Sequence, residues 1–362
     1  MDVVTATKSY ESWMGGQTSL VRADLAFKHA QMAAGPFLYL RATYYRWSEL
    51  FPAHCQEAAA APRVLAVGDL HLENFGTWRD AEGRLVWGVN DFDEAARLPY
   101  TNDLVRLATS VRLAADMHPI KLPFKQVCAE LLAGYTGGLE HGGRPVVLEE
   151  GYPYLRNQAI NELRNPVMFW AAVDRLPKAT RPPAGCIEAL RPLLPSGAVG
   201  LTLRGRRAGL GSLGHPRVVA VAEWCGSRLA REAKASVGPA TSWLTDPRDL
   251  HPASFGQRAM DRAVRCADPY VLMQPAWTVR RLAPDCSRIE LVRVPRKGEQ
   301  DDWLRAMGWE LANIHLGTAR AVPAVLADLR GRPARWLRDA AATMLAATLS
   351  DQADWIKAFK KR

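Results

Sequence analysis

Apolar and polar residues alternate at helical spacing from about Leu20 to Ala61, and Pro36 breaks the run, which predicts two helices. The period then shortens. FGTW (Phe75–Trp78), a turn at RDAEG and LVWGV (Leu85–Val89) read as a hairpin that runs out into Asn90-Asp91-Phe92. Thr101 or Asn102 can cap a following helix in which Leu104, Leu107, Ala108 and Val111 share a face, with Asp103 favourably placed in its first turn. Another helix runs from Phe124 to about Leu139. Gly142 to Ser196 is rich in proline and glycine, with one helical interval around Ala159 to Asp174, and reads as a substrate-side insertion or linker.

Strand patterns dominate the next hundred residues: VGLTLRGRR from Val199, RVVAVAEW from Arg217, SRLAREAKA from Ser227, then YVLMQ, AWTVRRL and IELVRVP. Between the third and fourth of these, Ser254 and Gln257 fit a capping box for a helix that carries Asp261. RKGEQDD is a charged connection suited to a hinge. Helical spacing returns from Asp301 to Thr318, about Pro333 to Ser350, and Gln352 to Lys360. The fold class is α+β, a small antiparallel-sheet lobe with a larger helical lobe. Three regions follow: 1–195, helical; 196–296, rich in strands; and 297–362, helices that return to the first region.

The chain has 362 residues, 48% of them hydrophobic and 23% charged, enough for one large or two small globular domains. No apolar run reaches membrane-spanning length and the start lacks a secretory signal pattern, so the expectation is a cytoplasmic protein without a membrane partner. The six cysteines form no C-x-x-C pair and no zinc spacing, and read as reduced thiols. A formal charge of +10 suits an anionic partner, either nucleotide or nucleic acid. The arginines are scattered, which also fits a solvated basic surface. No RNP-like strand, recognition helix or zinc module speaks for nucleic acid.

The candidate chemistry lies in Arg63 to Ala95. Asp69 and Asn74 stand at the D-x-x-x-x-N interval that pairs a base with a metal-binding amide in phosphoryl transfer, and Asp91-Phe92 places a second acid before an aromatic after the hairpin. A metal-bound triphosphate needs oxygen ligands for magnesium and a carboxylate for the attacking hydroxyl. Asn74 and Asp91 would supply the ligands, Asp93 a further metal or supporting acid, and Asp69 the base. His71 could assist Asp69 or simply pack the loop. Arg41, among Phe37, Leu40, Tyr44 and Tyr45, is a substrate contact or a snorkelling arginine. The plain alternative is a polar loop followed by a turn before a helix.

VGDLHLENFG, NDFDEA and the trailing Asp103-Leu104 resemble the catalytic-loop motif of aminoglycoside phosphotransferases and choline kinases, and through them the protein-kinase superfamily. More closely, the chain resembles the bacterial domain-of-unknown-function family 2252, through PFLYLR, GLGSLG, REA, GQR, VRRL and GWELANIH. The resemblance implies a kinase-like fold with ATP and magnesium as cofactors, and leaves the substrate open. It implies that Asp103 props the catalytic loop.

Gly209, Gly211 and Gly214 make G-x-G-x-x-G. A Rossmann loop would open into a helix, whereas Pro216 and a β-branched run follow here, as in the kinase loop whose amides cover nucleotide phosphates. Ser212 lies in that loop. The resemblance puts a phosphate-binding lysine where this chain has Arg231, which keeps the charge but not the shape. Lys234, at an odd offset, belongs on the opposite face of the strand. His315, in GWELANIH, reads as a packing or capping residue.

Kinases run small lobe, hinge, helix, catalytic loop. Here the loop precedes the small lobe, so the expectation is a circularly permuted kinase-like fold. The expected activity is ATP-dependent phosphorylation of a small-molecule hydroxyl. AMP transfer, a weakly catalytic nucleotide-binding pseudokinase and a basic nucleic-acid-binding protein are the alternatives.

Overall fold

The computed structural model describes residues 1–115, 120–148, 151–158, 165–245, 252–284, 286 and 298–360. Its secondary structure is α+β, with small antiparallel sheets set among helices. The largest apolar cluster spans both ends of the chain, from Tyr10 through Trp87 and Leu104 to Met344. At its centre is the helix Tyr100–Ala114, buried over nearly its whole length, with Trp336–Phe359 against it.

Two further helices pack face to face at short range, Phe124–Glu140 and Gln300–His315. Glycine makes this possible: a methyl group added at Gly134 would collide with the Arg305 carbonyl, and one at Gly308 with the Leu131 carbonyl. Small residues thereby bring two backbones into contact, and the C-terminal helix docks beside the N-terminal half of the chain.

The ten described strands are β1 (Arg63–Ala66), β2 (Phe75–Arg79), β3 (Leu85–Val89), β4 (Ala96–Pro99), β5 (Val146–Val147), β6 (Val199–Gly205), β7 (Arg217–Trp224), β8 (Ser227–Ala235), β9 (Val271–Met273) and β10 (Trp277–Leu282). β1 pairs with β4, so the two ends of the acid-containing segment leave the body side by side. Between them β2 and β3 form the expected hairpin, with β5 at its edge. The other five strands make one antiparallel sheet in the order β6-β7-β8-β10-β9. Within β8 the side chains alternate. Ala230 packs on the face with Val219, Val221 and the helix Pro166–Asp174, whereas Ala233 and Ala235 pack on the other face against the helix Cys186–Leu190.

Several boundaries differ from the periodicity. The run from Leu20 forms Arg22–Ala34, Pro36–Ala42, Tyr44–His54 and a short Gln56–Ala59, because Gly35, Thr43 and Cys55 leave helical geometry, Pro36 being the first residue of the second helix. The two final helices expected are one, Trp336–Phe359, and Val322–Gly331 precedes it. The short pair β1 and β4 escaped the strand pattern. Of the central segment, Ala240 and Ala259 belong to the large helical core rather than to the sheet. The expected strand IELVRVP, the start of the helical interval at Ala159 and the Ser254 side chain lie outside the described residues.

Candidate functional site

Asp103, at the head of the central helix, holds the acid loop by its backbone. Its carboxylate accepts the Val67 N–H at 2.7 Å and the Gly68 N–H at 3.0 Å, and meets Asn102 Nδ2 at 2.9 Å and His315 Nε2 at 3.2 Å. His315 is buried, and its other nitrogen lies 2.8 Å from the Tyr135 hydroxyl, which makes it a packing and hydrogen-bonding residue. Gly68 has φ +82°, and an added Cβ would run into the Glu94 carbonyl. The chain can therefore pass close to Glu94 and project Asp69 outward.

The Asp69 carboxylate takes the Arg106 Nε at 2.8 Å on Oδ1, and Arg106 Nη2 reaches the same atom. Arg106 is itself fully buried, stacked over Tyr44 and Trp47 at 4.8 and 5.0 Å. Burial pushes Asp69 up to about 6, against the pull of Arg106 and with the help of Asp91. Asn74 is aimed by its own amide: Nδ2 donates to the Asp69 carbonyl at 3.0 Å and the Asp91 carbonyl at 3.3 Å. Its Oδ1 is left buried with no hydrogen-bond partner among the described residues. An orphaned acceptor of this kind is costly unless something binds it.

His71 borders the same small cavity as Asp69 and is tied to the loop as well. Its Nδ1 accepts the Glu73 N–H at 3.2 Å, and Phe37 meets the ring edge-on. Arg41 pairs with Glu73 and lies over Phe37 at 5.6 Å, at the border of the site. Asp91 and Asp93 follow the hairpin, and the Lys234 ammonium from β8 pairs with Asp93 and lies 3.9 Å from Asp91. Burial raises the Asp93 pKa, Asp91 raises it further, and Lys234 opposes both.

The glycine turn between β6 and β7 closes the site from the sheet side. Gly209 to Ser212 border one small cavity of about 60 Å³ together with Asp69, Asn74, Asp91 and Asp93. A Cβ on Gly211 would sit 3.4 Å from Asp69 Oδ2, and the Ser212 hydroxyl accepts from Arg217 at 2.9 Å. Gly214 lies at the end of the turn with φ +101°, against Leu25. A second cavity of about 590 Å³ adjoins through Gly209, bordered by Trp78, Phe92, Phe169, Met260, Arg206 and Arg280.

Arg231 is the correction to the sequence reading. Its Nε donates to the Leu193 carbonyl at 2.8 Å and its guanidinium lies over Tyr270 at 4.6 Å, on the side of β8 away from the acids. Strand parity sends Glu232 and Lys234 into the cleft together. Glu232 there binds Arg217 at 2.6 Å and Arg280 at 3.0 Å, and pairs with Arg206 as well.

Three residues had no part in the sequence reading. Arg106 left only the signal of an arginine inside an apolar helix run. Glu94 borders the small cavity, accepts the Ala240 N–H at 2.5 Å, and is pushed by burial up to about 8. Lys28 is buried, donates to the Gly211 carbonyl at 2.9 Å, and has its pKa lowered by that burial.

No three His, Cys, Asp or Glu side chains cluster as metal ligands among the described residues. Magnesium on a nucleotide takes one or two protein oxygens and completes its shell with phosphate and water. The orphaned Asn74 oxygen beside Asp91 and Asp93 fits that requirement.

Residues 20–168 match the model of a family described as an uncharacterized protein conserved in bacteria, DUF2252, which supports that family for the segment holding the acid loop. No curated protein and no solved structure matches the chain. No described helix is long and apolar enough to cross a membrane.

Proposed function

We propose that the chain is a magnesium-dependent phosphotransferase with a circularly permuted, kinase-like arrangement, moving the terminal phosphoryl group of ATP to a hydroxyl of a small molecule. The observation that carries this reading is a meeting of two distant segments. A glycine turn and Lys234 come from the sheet, and Asp69, Asn74, Asp91 and Asp93 come from the helical body, to border one cleft. These are the components that phosphoryl transfer needs, which is positioning and charge neutralisation more than covalent chemistry.

Each residue then has a task. Asn74 Oδ1 and Asp91 hold magnesium, with Asp93 beside them; the ion, when bound, neutralises charge on the transferring group. Lys234 draws in the phosphates, and the turn from Gly209 to Gly214 offers them backbone N–H groups. Asp69, fixed by Arg106 on Oδ1, keeps Oδ2 for the acceptor. As the hydroxyl oxygen bonds to phosphorus, its proton passes to Oδ2 and the bond to the bridging oxygen breaks, releasing ADP. The 590 Å³ cavity has room for the nucleoside, with Trp78 and Phe92 as apolar surface.

A second reading is AMP transfer, or nucleotide binding with little turnover. One observation favours it: Arg231, where the resemblance puts a phosphate-binding lysine, is turned to Leu193 and Tyr270 and leaves Lys234 as the cation facing the acids. ATP labelled separately at the α and γ phosphates, incubated with magnesium and a metabolite mixture, decides between them. Transfer of γ label to a small molecule supports the first reading. Transfer of α label supports the second, and absence of magnesium-dependent nucleotide binding by calorimetry removes both.

A further inference from the structure

The glycine turn is fastened from outside the sheet. Helix Arg22–Ala34 and its N-cap residue Val21, which belong to the N-terminal part of the helical body, meet it at four places. The Lys28 ammonium donates to the Gly211 carbonyl at 2.9 Å, and the Val21 N–H donates to the Gly214 carbonyl at 2.8 Å. Asp24 pairs with Arg207 at 2.7 Å just before the turn, and Leu25 fills the space over Gly214. At the tip, Leu210 packs onto the cluster of Val3, Met32, Tyr39, Ala42 and Trp355. A turn meant to cover phosphates is thus pressed onto Asp69 by an element far from it in sequence.

Size gives these contacts a consequence. The 60 Å³ beneath the turn holds a few water molecules, since one needs roughly 10–15 Å³ by this measure. A terminal phosphoryl group with its magnesium gains room there as the turn rises. Gly209 and Gly214, at φ +73° and +101°, are the flexible ends about which it can do so. Raising it breaks the Lys28 to Gly211 bond and pulls Leu210 from its cluster.

We infer that helix Arg22–Ala34 is an autoinhibitory latch, with Lys28 as its pin, which holds the glycine turn shut over Asp69 and competes with entry of a nucleotide. The inference rests on the nucleotide site proposed above for its ligand, but the latch itself is a statement about the turn. A protein whose competent state is a minor fraction binds with affinity reduced by that fraction. Removing the pin therefore raises affinity, the opposite of what loss of an ordinary structural contact does.

The test uses the full chain with Lys28→Met, which keeps the length and apolar stem of the side chain, and Lys28→Arg, which keeps a donor. Backbone hydrogen exchange over 207–216 is measured without nucleotide, and binding of magnesium with a non-hydrolysable ATP analogue by calorimetry. Exchange about tenfold faster across the turn in Lys28→Met, close to wild type in Lys28→Arg, and analogue binding several-fold tighter in Lys28→Met are the expected results. Unchanged exchange overturns the latch, and so does faster exchange with equal or weaker binding. If no form binds the analogue, the nucleotide reading fails, and competition between latch and nucleotide fails with it. The exchange data then still decide whether Lys28 holds the turn. Should Lys28→Met fold poorly, Asp24→Asn loosens the same turn from the surface and carries the same two readings.

Discussion

Asp69 and Asp91 differ in what surrounds them, and that difference predicts distinct losses. Asp91 is partly exposed beside Lys234 and the orphaned Asn74 oxygen, so Asp91→Ala is expected to abolish magnesium-dependent ATP binding. Asp69→Asn should leave affinity within a few-fold and lower transfer by about 100-fold or more, the usual scale for loss of a general base. Calorimetry and single-turnover assays on the two variants check this, and unchanged magnesium-dependent affinity in Asp91→Ala would count against the assignment. Because Asp69 must be ionised to accept a proton, the transfer rate should climb through about pH 6 and level off above it.

Glu94 carries a stability prediction of known sign. Its folded pKa, about 8, lies above its ordinary value of 4.5, so the folded state binds more protons across that interval. The stability it contributes is complete below about 4.5 and is lost as pH rises through about 8. Glu94→Gln keeps an acceptor for the Ala240 N–H but removes the titration. Thermal melts should show the variant gaining on wild type at pH 8.5 to 9 and no gain at pH 5; a gain that does not depend on pH would sink this account.

The strand β8 shows what parity does at the scale of an element. Lys234→Met should weaken nucleotide binding about tenfold, because the charge it removes faces Asp91 and Asp93. Arg231→Met should leave binding nearly unchanged and lower the melting temperature instead, through loss of the contacts to Leu193 and Tyr270. A binding loss confined to Arg231→Met would reverse the two roles.

The pair of long helices is just as specific. Gly308→Val has to displace the Leu131 carbonyl, a cost of about 1–3 kcal/mol or more for overpacking. The effect is expected on the melting temperature and, through the neighbouring Glu310 and His315, on the acid loop. Glu310 accepts the Val89 N–H at 3.2 Å and His315 touches Asp103, so the helix supports the end of the hairpin and, through Asp103, the start of the acid loop.

Across the whole molecule, the helices after residue 297 complete a core begun in the first hundred residues. Deleting 298–362 exposes Leu131, Tyr135 and the Asp103 carboxylate, and the remaining chain should lose cooperative unfolding as followed by circular dichroism and calorimetry. Adding the missing segment as a separate polypeptide should restore it if packing rather than chain order makes the site. Independent cooperative folding of residues 1–297 would contradict this view of the molecule.

Local patterns in the sequence settled the α+β class, the hairpin, the central helix and most of the sheet strands, because burial on one face leaves a period of 2 or 3.6 in the residues themselves. They also singled out Asp69, Asn74, Asp91 and the glycines, since these fall at motif spacings within short segments. Packing alone decided the rest. Arg106, Glu94 and Lys28 acquire their states from neighbours 37 to 183 positions away, at Asp69, Ala240 and Gly211, and no local pattern records such partners. Lys234 rather than Arg231 faces the acids because the sheet buries one side of β8 under Cys186–Leu190 and turns the other to the cleft. Spacing names the groups that could react, whereas burial and facing are properties of the closed chain, and only there do charge, room and direction take their values.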